Sequence, residues 1–151
     1  MANSETLRDL IRINNDRVTG YSKAATQTDD QDLQSLFSNL AQQSRQFASD
    51  LRRLISASDK DVTDETTTAG KIYRAWMDVK ATFTDIDKTT ILDSCHFSED
   101  ATQRAYDAAL EGSIPDEKVR NMLVAQQQKL KQSKDLIKDH LDAHTTLKNI
   151  A

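Results

Sequence analysis

Glycine and proline are scarce: three and one respectively in 151 residues. That scarcity argues against β-hairpins, meanders and sandwiches, which need a turn cluster every few residues. Helix is the state left open. A single cysteine, Cys95, excludes an intramolecular disulfide. It falls inside an apolar pattern and reads as a buried, inert thiol suited to a reducing compartment. No stretch approaches the roughly 18 uncharged apolar residues of a membrane span, and Met1 to Thr6 lack the basic flank and apolar run of an export signal. A dominant charge sign is also missing. Lys plus Arg is 20 against 24 for Asp plus Glu, a net charge of −4, with the signs mixed along the chain. Neither nucleic acid nor an anionic membrane surface finds a field to bind, so neither is an expected partner. The expectation is a cytoplasmic protein of one domain, residues 1–151, long enough to bury a core without staples.

What is present is helical periodicity. Between Gln31 and Ala57 the residues Leu33, Leu36, Phe37, Leu40, Ala41, Phe47, Ala48, Leu51, Leu54 and Ile55 recur at three- and four-residue steps, interrupted only by Ser44. Before it, Leu7, Leu10, Ile11, Asn14, Val18, Tyr21 and Ala25 form the face of a first helix that begins at Asn3 or Ser4. Gly20 lies in its middle, where it costs about 1 kcal/mol relative to Ala and signals close packing by a neighbour or else a functional kink. Asp29-Asp30 joins the two helices so tightly that they must run antiparallel. A polar crossover, Ser58 to Thr68, leads to a short helix with Ala69, Ile72, Tyr73, Trp76, Val79 and Phe83 on one face. Tyr73 and Trp76 offer the largest apolar area there, an anchor for the crossover or else a patch for a partner or ligand. A second hairpin starts at Asp85 or Asp87. Ile91, Leu92, Cys95, Glu99, Thr102, Ala105, Tyr106, Ala109 and Leu110 trace its inner face to a stop at Gly112, and Pro115 opens the last helix. That helix carries Val119, Met122, Leu123, Gln126, Leu130, Ser133, Ile137, Leu141, His144 and Leu147. The expected helices are about 4–28, 31–57, 68–83, 87–111 and 115–148. Two antiparallel hairpins joined by a long crossover with an extra short helix make an all-α, ferritin-like four-helix bundle.

The stretches Leu10-Ile11-Arg12-Ile13-Asn14-Asn15-Asp16-Arg17-Val18-Thr19-Gly20-Tyr21, Ser44-Arg45-Gln46-Phe47-Ala48-Ser49-Asp50-Leu51, Ala69-Gly70-Lys71-Ile72-Tyr73-Arg74-Ala75-Trp76-Met77-Asp78, Glu99-Asp100 and Ala105-Tyr106 resemble a bacterial family of uncharacterised four-helix-bundle proteins, a domain-of-unknown-function group of the ferritin-like superfamily. A looser similarity to stress-induced ferritin-like proteins implies a stress-linked role. The ferritin-like resemblance also implies a di-iron centre built from carboxylates and Glu-x-x-His pairs, and here the chain departs from it. No Glu-x-x-His occurs anywhere. Ser44 and Phe47 stand where the first pair would be, and Lys131 and Lys134 lie near the second. Asn14 or Asn15 occupies the region of the first-helix carboxylate, and only Glu99 remains as a ligand. Buried carboxylates without a cation cost several kcal/mol each, so a bundle that no longer binds iron sheds them. Asn14, Ser44, Glu99 and Ser133 are then left as a polar network or water pocket.

Other chemistry is thin. Asp93-x-x-His96 and His140-x-x-x-His144 have the spacing of a metal pair on one helix face, yet each lacks a third ligand. There is no Gly-rich phosphate loop and no Gly-x-Ser-x-Gly turn, and Cys95 and His96 point in different directions on a helix. Lys129, Lys131, Lys134 and Lys138 interleave with polar residues as on a solvated face. The leading expectation is a non-catalytic scaffold acting by association, as a homodimer and without a cofactor. The rival is a divergent iron-binding or oxidoreductase protein using Glu99 with Asp16 or His96.

Overall fold

The computed structural model describes residues 2–55, 65–67, 70–81, 88–112, 114 and 116–150. The described chain is helical: α1 (Ala2–Gln27), α2 (Gln31–Leu54), α3 (Gly70–Ala81), α4 (Lys88–Glu111) and α5 (Glu117–Ile150). No strand occurs among the described residues, and no helix among them is long and apolar enough to cross a membrane. Expectations placed on the side chains of Asn3, Ser4, Ser58, Ala69, Phe83, Asp85, Asp87, Pro115 and Leu147 lie outside the described residues.

Local chemistry sets the ends. Asp30 caps α2, its carboxylate accepting the Leu33 amide at 3.1 Å. At the other end Ile55 turns to an extended ψ of 135° and its amide returns to the Arg52 carbonyl, so α2 ends before residue 57. Gly70 takes a φ of +91° at the start of α3, a conformation that L side chains rarely adopt. Gly112 does not have that geometry; its amide continues the helical pattern to Ala108 O at 3.3 Å.

Helices α1 and α2 pack along each other, as do α4 and α5; α1 also meets α4, α2 meets α5, and α3 lies against α1 and α4. Asp30, at the tip of the first hairpin, sits 3.3 Å from Lys88 at the start of α4 and 4.0 Å from His144 near the end of α5. Helices α2 and α4 therefore start at the same end of the molecule, and the chain between them must return along its length. Helix α3, 12 residues and so about 18 Å long, covers much of that distance.

The segment before α3 is pinned to α1. Arg12 Nε donates to Glu65 Oε2 at 3.1 Å, Asn15 Nδ2 to the Glu65 carbonyl at 2.7 Å, and the Thr67 amide to Asp16 Oδ2 at 3.2 Å. The Thr67 hydroxyl donates to the same Asp16 oxygen. Helix α3 then buries Ala75, Trp76 and Val79. Trp76 lies over Gly20, where a Cβ would stand 2.6 Å from its ring carbon Cε3. Its indole Nε1 donates to Thr102 Oγ1 at 3.2 Å, and its ring meets Tyr21 edge-on at 5.2 Å.

Among the described residues the core falls into two apolar clusters. One holds Tyr21, Phe37, Trp76, Leu92, Cys95 and Ile137. The other holds Leu10, Phe47, Leu51, Tyr106, Leu123 and Leu130. Each large side chain contributes about 1.5–3 kcal/mol by leaving water. Between the clusters the helices present polar side chains.

Candidate functional site

Along α1 the polar level is Asn14 and Arg17, along α2 Ser44, and along α4 Ser98, Glu99 and Thr102, all buried. At its centre is an ion pair. Arg17 Nε and Nη2 donate to the two oxygens of Glu99, each at 2.8 Å, and both side chains are almost completely buried. The planar guanidinium matches the carboxylate fork to fork. Its Nη1 donates to Ser44 Oγ at 2.8 Å and to the Leu40 carbonyl at 3.2 Å, and the group lies 5.2 Å from the Tyr21 ring centre.

From Arg17 a one-way relay of hydrogen bonds crosses the interior. Ser44 donates to Asn14 Oδ1 at 2.9 Å, and Asn14 Nδ2 to Tyr106 Oη at 3.0 Å and to the Leu10 carbonyl at 2.9 Å. Tyr106 donates to Gln126 Oε1 at 2.7 Å, and Gln126 Nε2 to the Phe47 carbonyl at 3.3 Å. Each member from Ser44 to Gln126 both accepts and donates, so the bonds polarise one another. Helices α1, α2, α4 and α5 all contribute. This is what the interior does chemically: it neutralises one carboxylate with one guanidinium and passes the remaining donors to backbone carbonyls.

Asn14, Ser44 and Glu99 thus meet in one network, while Ser133 is placed apart. Its hydroxyl lies 3.1 Å from Gln43 Oε1 and 3.0 Å from the Lys129 carbonyl, either of which can accept its single hydrogen. Asp16 is buried but turned to Thr67, away from the Arg17–Glu99 pair. His96 is half-buried and Asp93 exposed. His140 and His144 have ring centres 6.5 Å apart, and His144 Nδ1 lies 2.8 Å from the His140 carbonyl. Tyr73 is half-exposed, whereas Trp76 is fully buried and offers no surface to a ligand or partner. Arg17, Tyr106 and Gln126 complete the network, and Arg17 is the member that reading the stripe passes over.

The residues present do not fit a divalent metal. Among the described residues Glu99 is the sole carboxylate at the centre of the network, and a fixed cation already occupies both of its oxygens. Lys131 pairs with Asp135 at 3.2 Å and Lys134 with Asp100 at 2.9 Å, both toward the outside. Among the described residues no three His, Cys, Asp or Glu side chains come together as a metal-binding group.

Burial taken alone lowers the Arg17 pKa, but the charge and hydrogen bonds of Glu99 reverse this and hold it above its ordinary value. Burial, helped by the Glu99 charge, raises the Tyr21 hydroxyl and the Cys95 thiol well above theirs. The Tyr21 hydroxyl is enclosed beside the Glu99 carboxylate, whose hydrogen bond adds to the rise. Burial likewise raises Tyr106, against the opposing pull of Asn14 and Arg17.

The raised values of Tyr21, Cys95 and Tyr106 predict an alkaline instability. The folded chain keeps protons that the unfolded chain releases above about pH 8.5 for Cys and 10 for Tyr, so unfolding becomes easier as pH rises beyond those values. The stabilising contribution is complete below them. In an alkaline titration, tyrosinate absorbance from Tyr21 and Tyr106 should rise together with the loss of helical circular dichroism, and Cys95 should react with a thiol reagent only in that step. Smooth ionisation of all three tyrosines with helix content intact would contradict the enclosed network.

A family model described as Domain of unknown function (DUF2383) matches residues 2–112, which spans α1 to α4. No curated protein and no solved structure matches the chain.

Proposed function

The chain belongs to the DUF2383 family, a domain of unknown function, and from that premise we propose that it is a non-catalytic, cytoplasmic scaffold that works by associating with other protein surfaces, first with a second copy of itself. In this reading α1, α2, α4 and α5 form a ferritin-like four-helix bundle and α3 belongs to its crossover. The observation that carries it is the Arg17–Glu99 pair. A catalytic or metal centre needs an open position beside its reactive groups. Here the most polar part of the interior is closed, with its donors and acceptors spent on one another. Activity is then left to the surface, where Phe97 is 64% exposed.

The buried free thiol of Cys95 suits a reducing compartment. A bacterial, stress-linked role rests only on likeness to stress-induced ferritin-like proteins. The iron-binding alternative would need Glu99 to leave Arg17, which holds both of its oxygens, and Asp16 to leave Thr67.

Sedimentation velocity on the whole chain across the micromolar range tests the association. A dimer is the expected species, and a monomer at every concentration contradicts it.

A further inference from the structure

We infer that the groove between α3 and α4 is the surface on which the second copy docks, about a two-fold axis passing beside Phe97; this rests on the association proposed above. Phe97 stands in the middle of α4 and is the most exposed of the large apolar side chains among the described residues, at 64%. Its ring divides the groove into two hollows. The larger, about 390 Å³, has Ala75 and Ala101 as its small floor residues, with Arg74 and Arg104 among its walls. The smaller, about 230 Å³, lies on the other side and is bounded by Asp78, Asp93 and Ser94.

The charge along this groove is therefore polarised. Arg74 and Arg104 mark one end, where the acidic Asp100 is already taken by Arg104 at 3.0 Å and by Lys134 at 2.9 Å. Asp93 marks the other, while Asp78 borders both hollows. A two-fold interface is isologous: whatever one copy presents on one side of the axis, the partner presents on the opposite side. With the axis at Phe97, the basic end of each copy faces the acidic end of the other, and Arg74 meets Asp93 twice. Each Phe97 ring enters the partner's larger hollow, where two alanines leave room for it. A partner of uniform charge fits one end of the groove and is repelled at the other, so this pattern selects a second copy.

The geometry makes a demanding test. Sedimentation velocity is run on the wild type, Phe97→Asp, Arg74→Asp and Asp93→Arg, with circular dichroism to verify that each retains its helices. The wild type should dimerise, and each variant alone should dimerise at least about tenfold more weakly. Arg74→Asp carries two acidic contact positions and Asp93→Arg two basic ones, so an equimolar mixture should dimerise more tightly than either variant alone. A wild-type dimer whose variants remain dimeric, or variants that weaken but do not recover on mixing, overturns this docking geometry while leaving association intact. A wild-type monomer overturns the association itself.

Discussion

Replacing Arg17 with methionine should cost about 3–5 kcal/mol of folding stability, because it strands the Glu99 carboxylate in the interior without a counter-charge. Ser44 loses its donor in the same step, and the Leu40 carbonyl loses one of its partners. Glu99→Gln should cost a comparable amount by leaving the guanidinium uncompensated. The informative variant is the double replacement, Arg17→Met with Glu99→Leu. A buried ion pair exchanged for apolar residues of similar volume is often close to neutral, so the double variant should be more stable than either single one. The readout is a denaturant midpoint for each corner of the cycle, analysed as a coupling energy. Single variants within about 1 kcal/mol of wild type, as for an exposed ion pair, would mean that water reaches the pair.

The second large effect belongs to Trp76. Trp76→Ala should cost about 3–5 kcal/mol, the range for deleting a large aromatic from a core. It removes the indole that covers Gly20, the edge-on contact with Tyr21 and the hydrogen bond to Thr102. The same contact gives Gly20→Ala a sign that depends on background. In the wild type the new methyl would meet Cε3 at 2.6 Å, and overpacking of a rigid ring costs about 1–3 kcal/mol. That outweighs the gain of up to about 1 kcal/mol in helix propensity. In a Trp76→Ala background the obstructing atom is gone, and Gly20→Ala should stabilise. Thermal unfolding of the four proteins decides it; stabilisation by Gly20→Ala in the wild type would contradict the contact.

Gly20 shows how far sequence reasoning reaches. A glycine in mid-helix announces close approach by something, and the covering group is Trp76, from a helix that local periodicity alone cannot place. The long helices are legible because their apolar residues return every third or fourth position over many turns, which few other structures tolerate. Their ends are less so: α2 stops at Leu54 because of the backbone turn at Ile55, although Ile55 continues the stripe. Asn14, Ser44 and Glu99 stand out as polar interruptions of apolar faces. Arg17 does not, since arginine is ordinarily counted with the solvated residues. Its position three residues after Asn14 and four before Tyr21 is the available signal. The choice of Glu99 as its partner, 82 residues away, depends on how α1 meets α4. Ser133 turns to Gln43, apart from the network, and Asp16 serves the segment at Glu65–Thr67; both outcomes are set by neighbours that no local pattern specifies.

The claim that the interior is closed to metal chemistry is tested most directly by iron. Freshly purified protein would be assayed for metal content by mass spectrometry, then mixed with ferrous iron in air while oxidation is followed. With Arg17 holding both oxygens of Glu99, the expected result is no bound iron and no oxidation above the protein-free rate. About one or two iron ions per chain, as a di-iron bundle would carry, with oxidation abolished in Glu99→Gln, would contradict it and make Glu99 a ligand.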